Sequence, residues 1–132
     1  MAGRSTVPDP RREVDPRRLL GAFGEQAATD WYLQRGAELL DRNWRVREGE
    51  IDLVVAHQGA VIFAEVKTRR STKFGLPVEA ITRAKAARLR RLTGLWLRAN
   101  REVRAAAIRI EIVSVFIDRS GRAHVEMCPL DV

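Results

Sequence analysis

The chain has a single cysteine, Cys128, so it can form neither an internal disulfide nor a multi-cysteine zinc site. Histidine is almost as scarce: His57 and His124, even with Cys128, fall short of a four-ligand His/Cys cluster. Any metal must therefore be held mainly by carboxylates. No apolar run approaches the roughly 20 residues that span a bilayer. The longest candidate, Ala105 to Ile117, is interrupted by Arg109 and Glu111. The N-terminal arginines Arg4, Arg11 and Arg12 are followed by no apolar segment, so the secretory pattern is missing and a soluble, cytoplasmic protein is expected. Lysine is the last scarcity. Of 24 basic residues only Lys67, Lys73 and Lys85 are lysine; the rest are arginine. A lysine that persists against such a bias is a candidate for chemistry that arginine cannot do.

What is present suits one domain. The length is 132 residues with 45% apolar content, enough for a single core. Residues 1–17 hold Pro8, Pro10 and Pro16 among mixed charges, which predicts a mobile tail ahead of one domain over 18–132. The formal charge of +7 favours an anionic partner.

Periodicity predicts a helix from Arg18 to about Arg35, with Leu19, Phe23, Ala27 and Trp31 recurring every four residues, Leu20, Gly24 and Ala28 beside them, and Gly36 as the stop. Ala37 to Leu40 is a short strand candidate. Ile51–Ala56 and Ala60–Lys67 are strong strand signals around His57-Gln58-Gly59. A basic loop over 68–77 leads to a long helix, Val78 to about Asn100, with Ile81, Leu89, Leu92, Leu95 and Trp96 on its buried face. Strands are expected at Ala107–Ile117 and Ala123–Met127, with a turn at Gly121 between them.

Glycine at the second loop position favours a two-residue hairpin turn at Gln58-Gly59. The register then pairs Val55 with Ile62, Leu53 with Ala64, Asp52 with Glu65, and Glu50 with Lys67. One face collects Ile51, Leu53, Val55, Ile62, Ala64 and Val66; the other collects Glu50, Asp52, Val54, Phe63, Glu65 and Lys67. Asp52 opposite Glu65 is a like-charge pair, which destabilises a sheet. A divalent cation between them removes the repulsion, and hard oxygen ligands suit Mg²⁺ or Mn²⁺. A protonated carboxylate, neutralisation by Lys67, or a plain solvated face are the alternatives. With a metal in place, water activation and phosphoryl polarisation become available. Lys67 beside it would hold the scissile phosphate or the attacking water, or accept a proton if its pKa were lowered.

The strings GEIDLVV (49–55) and FAEVKTR (63–69) resemble the PD-(D/E)xK nuclease superfamily, and more closely the small bacterial YraN family. Archaeal Holliday-junction resolvases are the better understood relatives. The resemblance covers roughly residues 18–118, and the proline of the superfamily's name is replaced by Ile51. It implies a restriction-endonuclease-like α/β fold, an αβββαβ core with a mixed central sheet flanked by helices. It also implies Asp52 and Glu65 as metal ligands and Lys67 as the catalytic lysine. GAFGEQAA (21–28) resembles the family's first helix, which implies that Glu25 points towards the site, whereas helical periodicity alone leaves Glu25 in solvent. Glu50 belongs to the same family string; a second metal, an ion pair orienting Lys67, and a structural salt bridge are its open roles. Dimeric resolvase relatives imply a homodimer, for which no seam is readable. Arg109 and Glu111 receive no role.

Residues 67–91 carry nine basic side chains against one acid, Glu79. Arg83, Arg90, Arg91 and Arg98 share one helix arc, and Thr68, Arg69, Arg70 and Lys73 follow Lys67 directly. That pattern points to contact with a nucleic-acid backbone by charge and shape rather than base sequence; the nuclease resemblance implies DNA in preference to RNA. Membrane binding is disfavoured because the helix's apolar face is needed for the core. The expected activity is metal-dependent phosphodiester hydrolysis of structured or branched DNA. The alternatives are a non-catalytic nucleic-acid-binding module and a basic protein-binding domain.

Overall fold

The computed structural model describes residues 15–70 and 81–130. Most of the expected tail, Lys73, much of the basic loop and the stretch from Val78 to Ala80 lie outside these residues. The described elements are α1 (Pro16–Gln34), β1 (Glu38–Val46), β2 (Gly49–His57), β3 (Ala60–Arg69), α2 (Arg83–Ala99), β4 (Ala107–Ile117) and β5 (Ala123–Pro129). The strands form one five-stranded sheet in the order β1-β2-β3-β4-β5. β3 and β4 are parallel, joined across α2; every other pair is antiparallel. This mixed sheet with two helices is the α/β architecture expected of a restriction-endonuclease-like core.

Each face of the sheet buries one helix. Leu53, Val55, Ile62, Ala64, Val113 and Val115 pack with Ala28 and Tyr32 of α1. Val54, Val61, Phe63, Ile110 and Ile112 pack with Leu89, Leu92 and Trp96 of α2. Trp96 fixes α2 in place twice: its ring meets Phe63 edge-on at 5.4 Å, and its Nε1–H donates to Asp41 Oδ2 of β1 across 2.8 Å.

Both helices differ from their sequence outlines in informative ways. Asp15 caps α1 by accepting the Arg17 N–H at 3.0 Å, with Pro16 at the first helical position. The buried face of α1 is Gly24, Ala28, Thr29 and Tyr32, one residue on from the expected stripe, and Leu19 and Phe23 are 57% and 48% exposed. α2 begins at Arg83 rather than Val78, because Thr82 adopts an extended conformation and its side chain accepts the Lys85 N–H. Ile81 still packs on the core, from ahead of the helix.

β1 is also longer than its apolar residues suggested. It runs on through Asp41, Arg42 and Arg45 because it is an edge strand, whose charged side chains stay in contact with water.

Candidate active site

The predicted hairpin turn is present: Gln58 and Gly59 have φ of +50° and +82°, the left-handed pair that a tight type I′ hairpin requires. The register is as expected from His57↔Ala60 to Leu53↔Ala64, and there the pairing ends. Asp52 does not pair with Glu65, nor Glu50 with Lys67. The two strands part, and the Asp52 carboxylate occupies the gap, accepting the Val66 N–H at 2.7 Å.

The parting coincides with a break in alternation. Ile51 packs with Val54 and Phe63 on the α2 side, whereas Leu53 and Val55 lie on the α1 side, so the single apolar face expected for Ile51, Leu53 and Val55 does not form. At this level of the β1–β2 ladder, Asn43 falls between the pairs Arg42↔Leu53 and Trp44↔Ile51, with φ of +51°. A residue held in the left-handed region kinks the edge strand opposite Asp52.

Carboxylates converge on this gap from two elements. One ligand oxygen from each of Glu25, Glu50 and Asp52 lies within 4.8 Å of the others. Glu25 arrives from α1, as the family resemblance implied and as the exposed reading did not. The one-residue offset of the buried face is the reason: a helix resting on Gly24 and Ala28 carries Glu25 at the edge of its contact. Gly24 is essential to that approach, because a Cβ there would fall on Thr68 Oγ1. The three acids line an open cleft of about 530 Å³ with Arg18, Asn43 and Arg45. Glu50 also pairs with Arg45 at 3.1 Å, so the structural salt bridge expected as one option is present.

Electrostatics mark Asp52 as the centre. Its pKa is pushed up to about 7 by burial, against the Val66 hydrogen bond, and further by the negative charges of Glu25, Glu65 and Glu50. Glu65 and Lys67 alternate along β3 with Ala64 and Val66 of the α1-side core, and so share the other side with Phe63. Lys67 Nζ is 3.3 Å from Glu65 Oε1. Glu65 Oε2 is buried without a hydrogen-bond partner among the described residues. Burial draws the Lys67 pKa down, but contact with Lys85 and the Glu65 and Asp52 carboxylates outweigh it and leave Lys67 raised.

The donor set fits a hard divalent cation. Glu25, Glu50 and Asp52 supply oxygens at a shared point, and the orphaned Glu65 Oε2 is an uncompensated acceptor beside it. Of the expected ligand pair, Asp52 lies in the group with Glu25 and Glu50, whereas Glu65 is outside it and pairs with Lys67.

The remaining residues fall into two groups. Thr68 packs against Gly24, and Arg70 is exposed beside Leu19 and Phe23. Arg83, Arg90, Arg91 and Arg98 are all exposed on the solvent side of α2; Arg69 is half-buried.

Sequence reasoning missed two residues. Glu111 is buried at 2% exposure and accepts the Tyr32 O–H at 2.7 Å. Its signal was the only acid in a mostly apolar strand. Lys85, in the first turn of α2, is half-buried. Its signal was spacing: Lys85, Leu89, Leu92 and Trp96 follow the 4-3-4 rhythm of a buried helix face.

Comparison with known proteins is consistent with the motif reading. The chain is 49% identical over 108 residues to a UPF0102 protein of Clavibacter michiganensis, covering 82% of this chain and 91% of that one. It is 48% identical over 107 residues to a UPF0102 protein of Beutenbergia cavernae, covering 81% and 90%. Among solved structures it is similar to one described as "Crystal structure of SSO0001", at 21% identity and a TM-score of 0.37, spanning 89% of this chain and 55% of that one, a superposition too loose to assign anything. The model of the uncharacterised protein family UPF0102 matches residues 24–115, from Gly24 of α1 into β4. The chain belongs to the uncharacterised protein family UPF0102.

Proposed function

We propose that this protein is a metal-dependent nuclease that hydrolyses phosphodiester bonds, with structured or branched DNA as its substrate. The observation that carries the reading is the convergence of Glu25, Glu50 and Asp52 within 4.8 Å beside the Lys67–Glu65 pair. Such crowding raises the electrostatic cost of the fold, and a core strand end has no structural need of it. Mg²⁺ or Mn²⁺ bound by Asp52 with Glu25, Glu50 and Glu65 would supply Lewis acidity at the scissile phosphate and lower the pKa of a water. Lys67, held charged by Glu65, grips a non-bridging phosphate oxygen and stabilises the negative charge that develops there. Glu65 orients Lys67. Glu50, tied to Arg45, keeps its carboxylate turned to the cleft.

The exposed arginines Arg83, Arg90, Arg91 and Arg98 extend a single-sign surface along α2, which supports binding of a polyanion by its backbone. Nothing on that surface is arranged to read base edges, so shape decides the substrate. A cytoplasmic location, where DNA is accessible, belongs to the same reading. That surface is also what a purely binding module would use. The two readings separate on cleavage: a binder has no use for carboxylates that repel phosphate.

The test incubates the protein with supercoiled plasmid, a four-way junction and RNA, each in Mg²⁺, Mn²⁺ or EDTA, beside Asp52→Ala and Lys67→Ala. Metal-dependent cleavage by the parent, lost in both variants while binding persists, supports the nuclease. Binding without cleavage by the parent supports the module.

A further inference from the structure

A cavity beneath the C-terminal end of α1 takes no part in the proposed active site. It holds about 390 Å³ and lies at the hairpin-turn end of the sheet, where His57 pairs with Ala60, away from the open end that carries Asp52. Two of its charged residues come from β4. Arg109 and Glu111 alternate there with Ile110 and Ile112 of the α2-side core, so both face α1. The end of α1 supplies Trp31, Tyr32 and Arg35.

The charges in this cavity are held in place but not paired. Glu111 is 2% exposed and takes its hydrogen bond from the neutral Tyr32 O–H at 2.7 Å. Arg109 stands on the same face of the same strand, yet among the described residues no cation pairs with Glu111. A buried carboxylate served by a neutral donor alone bears a desolvation cost that further donors relieve. Arg35 is fixed by its neighbours. Its guanidinium lies 3.7 Å over the Trp31 ring and donates to the Trp31 carbonyl at 3.1 Å, while its own carbonyl accepts the His57 Nε2–H at 3.0 Å. Neither Arg35 nor Arg109 has an acidic partner among the described residues. The cavity therefore offers a sunken acceptor, two exposed cations and a flat stacked surface.

Each feature restricts what fits. A bare anion meets Glu111, and a bare cation meets Arg35 and Arg109. A ligand that satisfies both carries negative charge at one end and N–H donors at the other. The Trp31–Arg35 stack favours a planar ring between them, since aromatic and guanidinium faces are surfaces on which bases stack. A nucleotide has all three parts. Guanine presents adjacent N–H donors on one edge, the pattern that a carboxylate accepts, whereas adenine presents a single amino group there.

We infer that this cavity is a second ligand site, for a guanine nucleotide. Glu111 accepts from the edge of the base, the Trp31–Arg35 stack covers its face, and Arg109 pairs with the phosphate. The site does not depend on the nuclease reading, and it gives Arg109 and Glu111 a task that the sequence left open.

Isothermal titration calorimetry of the full chain in EDTA, with tryptophan fluorescence in parallel, tests the site with no metal at the carboxylate cleft. Guanosine monophosphate, inosine monophosphate, adenosine monophosphate, guanosine and inorganic phosphate are titrated separately. The expected result is one guanosine monophosphate per chain, with quenching that Trp31→Phe removes. Inosine monophosphate, which lacks the exocyclic amine, should bind about tenfold more weakly, the loss of one hydrogen bond to a charged acceptor. Adenosine monophosphate should bind more weakly still. Arg109→Ala, at an exposed position, should weaken guanosine monophosphate about tenfold and leave guanosine at the parent's affinity. Glu111→Gln should remove the preference for guanine; the inosine comparison on the parent gives the same information if that variant does not fold. An oligonucleotide ending in guanine distinguishes the source of the ligand. Tighter binding than the free nucleotide assigns the site to a strand end, and equal or weaker binding assigns it to the free nucleotide. The inference is overturned if guanosine monophosphate does not bind, binds no better than adenosine monophosphate or inorganic phosphate, or keeps the parent's affinity in Arg109→Ala.

Discussion

The backbone N–H of Val66 donates to the carboxylate of Asp52 across 2.7 Å, at the point where the β2–β3 ladder has just ended. A side chain has taken the place of the next backbone partner. The strands part around it, and the space so opened admits Glu25 from one helix while Lys67 pairs with Glu65 nearby. The site is a consequence of unfinished pairing in an otherwise regular hairpin.

The Asp52 charge should cost stability in the metal-free protein. Its carboxyl is raised from 3.8 to about 7 on folding, so ionisation favours the unfolded chain. The protonated group's contribution is intact below about 4 and is lost as pH rises through about 7. Asp52→Asn keeps an acceptor for Val66 and removes the charge. Melts in EDTA should show the variant more stable than the parent by roughly 1–3 kcal/mol at pH 8, with the gap closing towards pH 4. A gap that does not vary with pH contradicts the crowding.

Gly24→Ala should destabilise, although alanine is the better helix former. The new Cβ would fall on Thr68 Oγ1, and overpacking of this kind costs roughly 1–3 kcal/mol. Gly94→Ala is the control, since nothing lies within 4 Å of a Cβ there, and it should stabilise by up to about 1 kcal/mol. The Gly24 variant should also lose metal affinity as α1 lifts and takes Glu25 with it. Denaturant melts and Mn²⁺ calorimetry measure the two effects. A Gly24→Ala variant as stable as Gly94→Ala would show that the helix does not rest on β3 as described.

Tyr32 and Glu111 should prove strongly coupled. Tyr32→Phe leaves a carboxylate buried without its 2.7 Å donor and should cost about 1.5–3 kcal/mol. On a Glu111→Ala background the same change should cost much less. Additive costs in a double-mutant cycle would place the stabilisation in packing rather than in this bond.

Arg90→Glu with Arg91→Glu should weaken DNA binding steeply at low salt and reduce the salt dependence by a slope of about 2. The fold should be unaffected, since both side chains are exposed. Fluorescence anisotropy across a salt series reads the slope. Unchanged affinity at low salt would remove α2 from the contact surface.

Much of this architecture is legible in the residues. The Gln58-Gly59 turn and the alternation from Val54 to Phe63 set a register that holds for as long as the strands stay paired. The GEID and EVK strings mark its open end, and the resemblance they carry places Glu25 there. What alternation does not convey is where pairing stops, because Asp52 ends the ladder with a side chain and Asn43 kinks the neighbouring strand through its backbone. The phase of α1 was obscured by size. Leu19 and Phe23 are large and apolar yet exposed, whereas the contact is made through Gly24 and Ala28, which periodicity weighs lightly.

The most direct test of the account is the initial rate of four-way-junction cleavage in Mg²⁺ by the parent and by folded Asp52→Asn, side by side. The account predicts that the variant is slower by at least roughly 100-fold while its junction affinity in Ca²⁺ stays at the parent's level. Equal rates, or cleavage by the parent that survives EDTA, would contradict it.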